Sequence, residues 1–163
     1  WGYERDSLNF KPTEMLIRSL IDAVSKGGNF LLNVGPNGRG EVSPMDVDRL
    51  QGIGEWMRLH NRAIYNCTAS EYPAPTDCRY TQNGNRLYLH LFTWPFRNVH
   101  LPGLKGNVDY AQLLNDGSEI RMIEDPNLLY RHEIVGPEKI LTLELPTQKP
   151  PVTVPVIELF LKK

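Results

Sequence analysis

A glycine-rich segment at positions 35–40 is the first place where residue types could do chemistry. Gly35 and Gly40 have the spacing that opens a phosphate-binding P-loop. Glu41 and Val42 stand where such a loop needs Lys and Ser or Thr, and an acid there would repel phosphate. A nucleotide site is therefore disfavoured, and the segment is interpreted as a tight strand-to-helix connection. It also suits a loop at the C-terminal end of a barrel strand, where such barrels place active sites.

Carboxylate pairs are a second source of chemistry, because the chain has 19 Asp and Glu residues. Glycoside hydrolysis needs two carboxyl groups on opposite sides of one bond, about 5–5.5 Å apart in a retaining enzyme. Glu4 and Asp6 are tempting candidates because they lie close to Trp1. Surface acids are common, so we favour a solvated loop in which Arg5 is their local partner. We nominate no catalytic residue within these 163 residues.

The aromatic start of the chain could bind a sugar. The flat ring of Trp1, followed by Gly2 and Tyr3, suits the less polar face of a sugar and the methyl group of a deoxysugar. A tryptophan that fills the top of a core explains the same residue equally well. The residue type alone leaves both interpretations open.

The histidines and cysteines give no support to a metal site. They form neither an H-E-x-x-H nor a C-x-x-C pattern, and no G-x-S-x-G elbow anchors a Ser-His-Asp triad. His90 is expected as a half-exposed residue of a sheet. Cys67 and Cys78 favour two separate reduced thiols, with a disulfide as the open alternative. Asn66 begins an N-glycosylation acceptor triplet, a pattern that is common by chance. The four histidines are His60, His90, His100 and His132.

Two helices and one strand are predicted in the first 66 residues. Apolar residues at helical spacing predict a helix between Pro12 and Gly27, with Pro12 in its first turn. Residues 29–34 form a nearly continuous apolar run, which is typical of a strand buried on both faces. Ser43 and Pro44 predict the N-cap and first position of a second helix that extends to about residue 60. The predicted apolar stripes are Met15, Leu16, Leu20, Ala23 and Val24 in the first helix, and Val47, Leu50, Ile53 and Met57 in the second.

This helix–strand–helix order belongs to an α/β layer with a parallel sheet. One strand cannot form such a sheet, so the segment is expected to pack against strands upstream of Trp1. The chain begins with Trp rather than Met, which also leads us to expect upstream sequence.

The pattern changes after a proline-punctuated join near residue 72. Residues 79–82 and 86–92 flank Asn83-Gly84-Asn85, which predicts a hairpin with glycine at its turn. Turn residues separate further short strands at intervals of about ten residues, as in an antiparallel sandwich. The further predicted strands are 99–101, 108–114, 119–123, 131–135, 140–145 and 156–161.

Composition excludes several partners. The chain has 40% hydrophobic and 23% charged residues, and its formal net charge is −1. Without a basic surplus or a run of like charges, we expect no nucleic-acid and no membrane partner. No apolar stretch approaches the roughly 20 residues that a membrane helix needs.

Four segments carry a family resemblance. They are Trp1 to Asp6, Ser25 to Gly40 with its S-K-G-G-N-F-L-L-N-V-G-P string, Arg49 to Trp56, and Ala63 to Tyr65. In order and spacing they resemble the end of the catalytic domain of family 29 α-L-fucosidases. The resemblance is strong over residues 1–66, and beyond them it is positional, with residues 88–95 similar to a sandwich strand that ends in Trp-Pro.

The resemblance implies the end segment of a (β/α)8-like barrel in residues 1–66 and a C-terminal antiparallel β-sandwich in residues 72–163. It implies retaining hydrolysis of terminal α-L-fucosyl linkages, without metal or cofactor, by two carboxylates that precede residue 1. Trp1 would line the fucose pocket, and Asn33 and Gly35 would shape its rim. The implied partners are fucosylated glycans or glycosides and the upstream barrel of the same protein. The family implies a secreted, periplasmic or lysosomal location.

Two other functions fit the second half of the chain. A non-catalytic carbohydrate-binding module would bind glycans through exposed aromatics at Tyr88, Trp94 and Phe96. A structural sandwich would instead brace the barrel, with those side chains packing sheet against helix. In either case the 163 residues alone are expected to be inactive.

Overall fold

A computed structural model describes residues 2–6, 9–123 and 139–163 of the chain. Trp1 and the predicted strand at 131–135 lie outside the described residues. The described part begins with two α-helices, α1 (Thr13–Ser25) and α2 (Pro44–His60), and a short 3₁₀ turn (Asn61–Ala63) follows α2. Both helices were predicted from the sequence.

The helix ends follow their capping signals. The Ser43 side chain accepts a hydrogen bond from the backbone N–H of Asp46 at 3.1 Å, and Pro44 is the first residue of α2. The chain leaves α1 through Gly27, which has a φ of 71° that glycine adopts without a steric penalty. Pro12 is the N-cap residue of α1 rather than part of its first turn, a one-residue correction to the prediction.

The predicted buried strand at 29–34 does not form a strand in the structure. The segment pairs with no other part of the described chain, and Leu31 is 92% exposed. A strand of a sheet forms backbone hydrogen bonds with a neighbouring strand, and this segment has no such neighbour in the described chain.

The buried faces of the helices differ from the predicted stripes. Ile17 and Ile21 are the fully buried residues of α1, whereas Met15 is half exposed. Trp56 and His60 are the buried residues of α2, whereas Val47 and Leu50 are exposed. Other members of the predicted stripes are partly buried and pack against the same core, so the stripes were correct in part: Leu20, Val24, Ile53 and Met57.

Seven antiparallel strands follow in the described part of the chain. They form a four-stranded sheet in the order β1-β2-β7-β4 and a three-stranded sheet in the order β3-β6-β5. Gly84, with a φ of 56°, turns the predicted hairpin between β1 and β2. The strands are β1 (Cys78–Asn83), β2 (Arg86–Leu91), β3 (Asn98–Pro102), β4 (Val108–Leu113), β5 (Arg121–Ile123), β6 (Ile140–Glu144) and β7 (Val156–Leu161).

The two sheets enclose one hydrophobic core. Leu89 and Leu159 of the four-stranded sheet and Leu101 and Leu143 of the three-stranded sheet are fully buried in it. This sheet-on-sheet arrangement is the antiparallel sandwich that the strand spacing predicted.

A second core lies on the outer face of the four-stranded sheet. Ile17, Ile21 and Trp56 from the helices pack there against Tyr88 of β2 and Val156 of β7. The sheet is therefore buried on both faces, and residues 9–123 and 139–163 form three layers: helices, four-stranded sheet and three-stranded sheet. His90, expected to be half exposed, is completely buried for this reason.

Candidate functional site

A cleft of about 590 Å³ lies between the start of the chain and the N-terminus of α2. Gly2 and Tyr3 form one side, and Asn33 and Gly35 line the same cleft. The fold thus brings together the residues that directly follow Trp1 and the two residues predicted at the rim of its pocket.

Gly35 fits the cleft because it has no side chain. A Cβ atom at this position would lie 2.7 Å from the carbonyl carbon of Gly2 and 2.7 Å from the backbone N of Tyr3. Non-bonded carbon atoms pack at about 3.5–4.0 Å, so a larger residue would push the two backbones apart. Sequence reasoning placed Gly35 in a turn and missed this contact between two distant backbones.

The loop after Gly35 is closed by a side chain. The Asn37 carbonyl oxygen Oδ1 accepts hydrogen bonds from the backbone N–H groups of Arg39 at 2.8 Å and Glu41 at 3.0 Å. The backbone N–H of Gly40 donates to the backbone carbonyl oxygen of Asn37 at 2.9 Å. Because these backbone donors are used inside the loop, they do not form a phosphate cradle. The interpretation of this segment as a tight connection is consistent with these bonds.

Acidic residues near the cleft have structural partners. Asp6 pairs with Arg5 at 3.0 Å, and both side chains are mostly exposed, as the solvated-loop interpretation predicted. The Asp46 carboxylate accepts from the Ser43 hydroxyl at 2.9 Å at the start of α2. Glu4 is exposed at the cleft edge. Of these acids, Asp6 thus pairs within the loop and Asp46 within the helix cap.

A second groove of about 440 Å³ runs beside this cleft. It lies between α1, residues 30–34 and α2, and its lining mixes apolar side chains with polar and charged ones. Leu31 and Leu50 line it with exposed side chains. The apolar run at 29–34 forms part of this groove. The sequence pattern of the run predicted a buried strand instead.

The aromatics proposed for glycan binding do not form a shared platform. Tyr88 is buried under the helices, as the structural-sandwich alternative expected and the binding-module alternative did not. Trp94 packs against the sandwich core, and its indole Nε1–H donates to the Pro146 carbonyl at 3.1 Å. Phe96 is 85% exposed.

Both cysteines are free thiols in the structure, which agrees with the favoured interpretation. Burial raises the pKa of Cys67 to about 11 and that of Cys78 to about 12. Both are therefore protonated at neutral pH and are poor nucleophiles.

The described residues contain neither a metal-binding cluster nor a membrane-spanning helix. Within 2–6, 9–123 and 139–163, no three His, Cys, Asp or Glu side chains are grouped so that they could hold a metal ion. Neither described α-helix has the length and apolar character needed to cross a membrane.

Comparison with known proteins gives one consistent result. The family model described as Alpha-L-fucosidase matches residues 1–62, which include all the residues that line the cleft. A tissue α-L-fucosidase of Macaca fascicularis is 30% identical over 163 residues, covering 95% of this chain. The structure of α-L-fucosidase isoenzyme 1 from Paenibacillus thiaminolyticus is 37% identical, with a TM-score of 0.90 over 100% of this chain. This chain belongs to the α-L-fucosidase family.

The α-L-fucosidase relatives are much longer than the chain. It covers 32% of the Macaca fascicularis protein and 38% of the Paenibacillus thiaminolyticus chain. A further similar structure, 27% identical with a TM-score of 0.84, is a family 29 α-L-fucosidase from Bacteroides thetaiotaomicron described as a trapped covalent intermediate with 2-fluoro-fucosyl fluoride. The described fold therefore corresponds to about a third of a family member.

Proposed function

We propose that this chain is the C-terminal portion of a retaining α-L-fucosidase that hydrolyses terminal α-L-fucosyl linkages in glycans or glycosides. The observation that carries the proposal is the superposition of the whole chain, helices and sandwich together, on part of the Paenibacillus thiaminolyticus enzyme. In this proposal residues 1–66 are the end of a (β/α)8-like barrel, and residues 72–163 are the C-terminal β-sandwich.

The exposed leucines of the groove support the barrel assignment. Leu31 and Leu50 face solvent in the described chain, and residues 29–34 have no pairing strand there. A strand of a parallel barrel is paired on both sides and covered by helices. We propose that the barrel of the same protein supplies those neighbours and buries the groove.

The chemistry would be a double displacement by two carboxylates. The ionised carboxylate attacks the anomeric carbon and forms a covalent glycosyl-enzyme as the glycosidic C–O bond breaks, while the other group, starting as a carboxylic acid, gives its proton to the leaving oxygen. Water then attacks the covalent intermediate, with the second carboxylate acting as base. The structural roles of Asp6 and Asp46 favour a source for both carboxylates outside these 163 residues. The covalent intermediate of the Bacteroides thetaiotaomicron relative supports retention, and we propose no metal or cofactor.

Trp1 is proposed to pack against the apolar face of the bound fucose. The support is its position directly before Gly2, whose backbone lies against Gly35 in the cleft. A tryptophan ring fixed at this edge would contact sugar C–H groups and the methyl group of a deoxysugar.

The sandwich is proposed to brace the barrel rather than to bind glycans. Ile17, Ile21 and Trp56 share a core with β2 and β7, which ties the barrel end to the sheet. Burial of Tyr88 and packing of Trp94 disfavour a carbohydrate-binding face.

The decisive experiment compares the 163-residue chain with the complete protein on a chromogenic α-L-fucoside. We expect turnover by the complete protein, none by the chain, and α-fucose as the first anomer seen by NMR. In the complete protein, Trp1→Ala should lower kcat/KM at least about tenfold, mainly through KM. The matched control is Phe96→Ala, an exposed aromatic of the sandwich that should leave both constants unchanged. Robust turnover by the chain alone, or β-fucose as the first product, would contradict the proposal.

A further inference from the structure

Two histidines are completely buried where α2 packs against the four-stranded sheet. His60 is the last residue of α2, and His90 lies in β2. Both rings lie beside Trp56, with ring centroids 4.8 Å from Trp56 for His60 and 6.4 Å for His90. We call the place where these three rings meet the helix–sheet junction. Its chemistry is separate from the proposed fucosidase site and does not depend on it.

Hydrogen bonding fixes the tautomer of His60. Its Nδ1 lies 2.8 Å from the Trp56 carbonyl oxygen, which can only accept, so Nδ1–H donates. The other ring nitrogen, Nε2, is then a bare acceptor, and it has no partner in the described part of the chain.

His90 has the opposite tautomer. The Thr81 hydroxyl donates its hydrogen to the Ala63 carbonyl at 2.6 Å, so it must accept from His90 Nε2–H at 2.8 Å. The bare nitrogen of His90 is Nδ1, which likewise has no partner among the described residues. Each ring is thus satisfied at one nitrogen only while it is neutral.

A second proton would place a charge and an unpaired N–H in the core. Burial lowers the pKa of His90 from 6.5 to about 3, with nearby His60 as the second cause. Burial also lowers the pKa of His60, partly opposed by its bond to the Trp56 carbonyl.

The charged and titratable groups around the junction are paired with one another. Glu158 of β7 accepts from Gln112 at 2.7 Å and pairs with Arg62 of the 3₁₀ turn at 3.3 Å. Asp22 of α1 pairs with Arg79 of β1 at 2.7 Å. The neutral groups on the same elements are the Tyr88 hydroxyl of β2 and the Cys67 thiol after the 3₁₀ turn, and burial raises the pKa of both, to about 12 and about 11.

We propose that the buried His60–His90 pair makes the helix–sheet junction sensitive to acid, so that protonation releases the end of α2 from the sheet. In the released state the rings are hydrated and take up protons near pH 6.5. The docked state holds them neutral, so the released state binds more protons and gains population as pH falls below 6.5.

The expected size follows from proton linkage. With a pKa of 6.5 when released and about 3 when docked, His90 alone shifts the docking equilibrium about 25-fold toward release between pH 7 and pH 5. His60 acts in the same direction. The contribution is complete above pH 6.5 and is lost progressively below it.

The first test measures the histidines of the complete protein directly. Histidine C2 hydrogen–deuterium exchange, read by mass spectrometry across pH 4–8, reports the protonation of each ring. We expect His60 and His90 to stay neutral in the docked protein well below pH 6.5. Titration of both rings with midpoints near 6.5, while α2 remains protected, would overturn the proposal. This measurement needs no variant, so a substitution that prevents folding would not leave the proposal undecided.

The second test isolates the junction with variants. His60→Asn keeps a donor near Nδ1, and His90→Gln keeps one near Nε2, but neither residue titrates. Backbone amide protection of α2 and β2, corrected for intrinsic exchange, should fall about 25-fold or more from pH 7 to pH 5 in the unmodified protein. It should change far less in the double variant. His100→Gln, in the three-stranded sheet, is the control and should behave like the unmodified protein. Equal losses of protection in the double variant and the unmodified protein would refute the proposal.

Discussion

The sandwich and the helical region (residues 9–66) differ in how completely they bury their apolar residues. Leu89 and Leu143 of the sandwich are fully buried, whereas Leu31 of the helical region is 92% exposed. Among the described residues, nine of ten exposed large hydrophobic side chains precede residue 67, and the tenth is Phe96. The nine are Tyr3, Met15, Leu31, Val42, Met45, Val47, Leu50, Leu59 and Tyr65.

The helical region buries its apolar side chains on only one side, the side that faces the four-stranded sheet. Where α1 and α2 face the sheet, Ile17, Ile21 and Trp56 are buried against Tyr88 and Val156. On the other side the helices and residues 29–34 form a groove of mixed polarity in which Leu31 and Leu50 are exposed. The sandwich therefore closes its own core, whereas the helical region leaves apolar side chains in solvent, and we propose that the barrel covers them.

The largest predicted effect distinguishes a leucine of the sandwich core, Leu89, from a leucine of the groove, Leu31. Leu89→Ala, in the sandwich core, should lower the free energy of unfolding by about 2–5 kcal/mol in the 163-residue chain and in the complete protein alike. Leu31→Ala should cost almost nothing in the chain, because the side chain is already in water. In the complete protein it should cost about 2–5 kcal/mol, since the barrel would bury it.

Urea denaturation of both variants in both proteins measures these four values. The informative quantity is the difference between the two proteins for Leu31→Ala, with Leu89→Ala as the reference. If Leu31→Ala stays neutral in the complete protein, the groove is not the barrel interface and the comparison between the two regions fails.

The next effect concerns the cleft of the helical region. Gly35→Ala would place a methyl group 2.7 Å from the backbone of Gly2 and Tyr3, so the aromatic start must move. A displacement of about 1 Å at a substrate-positioning residue can lower the rate about 100-fold, and we expect a loss of up to that size in kcat/KM of the complete protein.

Gly38→Ala is the matched control, because a Cβ there meets nothing within 4 Å. It should keep normal kinetics and a normal unfolding midpoint. Loss of stability without loss of kcat/KM in Gly35→Ala would show that the contact supports the fold and does not position substrate.

The sandwich was predictable from the sequence because its signals are local. Alternating residues and turn residues located β1, β2, β3, β4, β6 and β7 to within about two residues, and Gly84 located the hairpin turn. What lies on each face of a strand is not local. His90 of β2 was expected to be half exposed, whereas the helices cover that face of the strand and bury both Tyr88 and His90.

The helical region was predicted less well for the same reason. Helix ends depend on nearby residues such as Ser43 and Gly27, and these were located correctly. The buried face of each helix depends on which neighbours are present, so Ile17 and Ile21 were missed. The contact between Gly35 and the Gly2–Tyr3 backbone also joins distant parts of the chain, and no local pattern indicates it.

The smallest predicted effect tests the polar link between the two regions. Asp22 of α1 accepts from Lys26 at 2.6 Å and from Arg79 of β1 at 2.7 Å. These bonds, Lys26 first and Arg79 second, lower the pKa of Asp22 below its ordinary 3.8. Because the pair is partly exposed and screened by water, Asp22→Asn should cost only about 0.5–1 kcal/mol of unfolding free energy at pH 7.

The pH dependence of this link has a definite sign. The folded state holds Asp22 ionised more firmly than the unfolded state, so the contribution is complete above pH 3.8 and is lost as pH falls through the lowered folded pKa. Urea denaturation at pH 7 and near pH 3 should therefore show the difference between Asp22→Asn and the unmodified chain shrinking in acid. Asp48→Asn, which removes an exposed partner of Arg49 within α2, is the control. It should leave the unfolding free energy unchanged both at pH 7 and near pH 3. If the difference in unfolding free energy does not change with pH, the charge of Asp22 does not contribute to stability. The effect of Asp22→Asn would then come from the loss of hydrogen-bond acceptors.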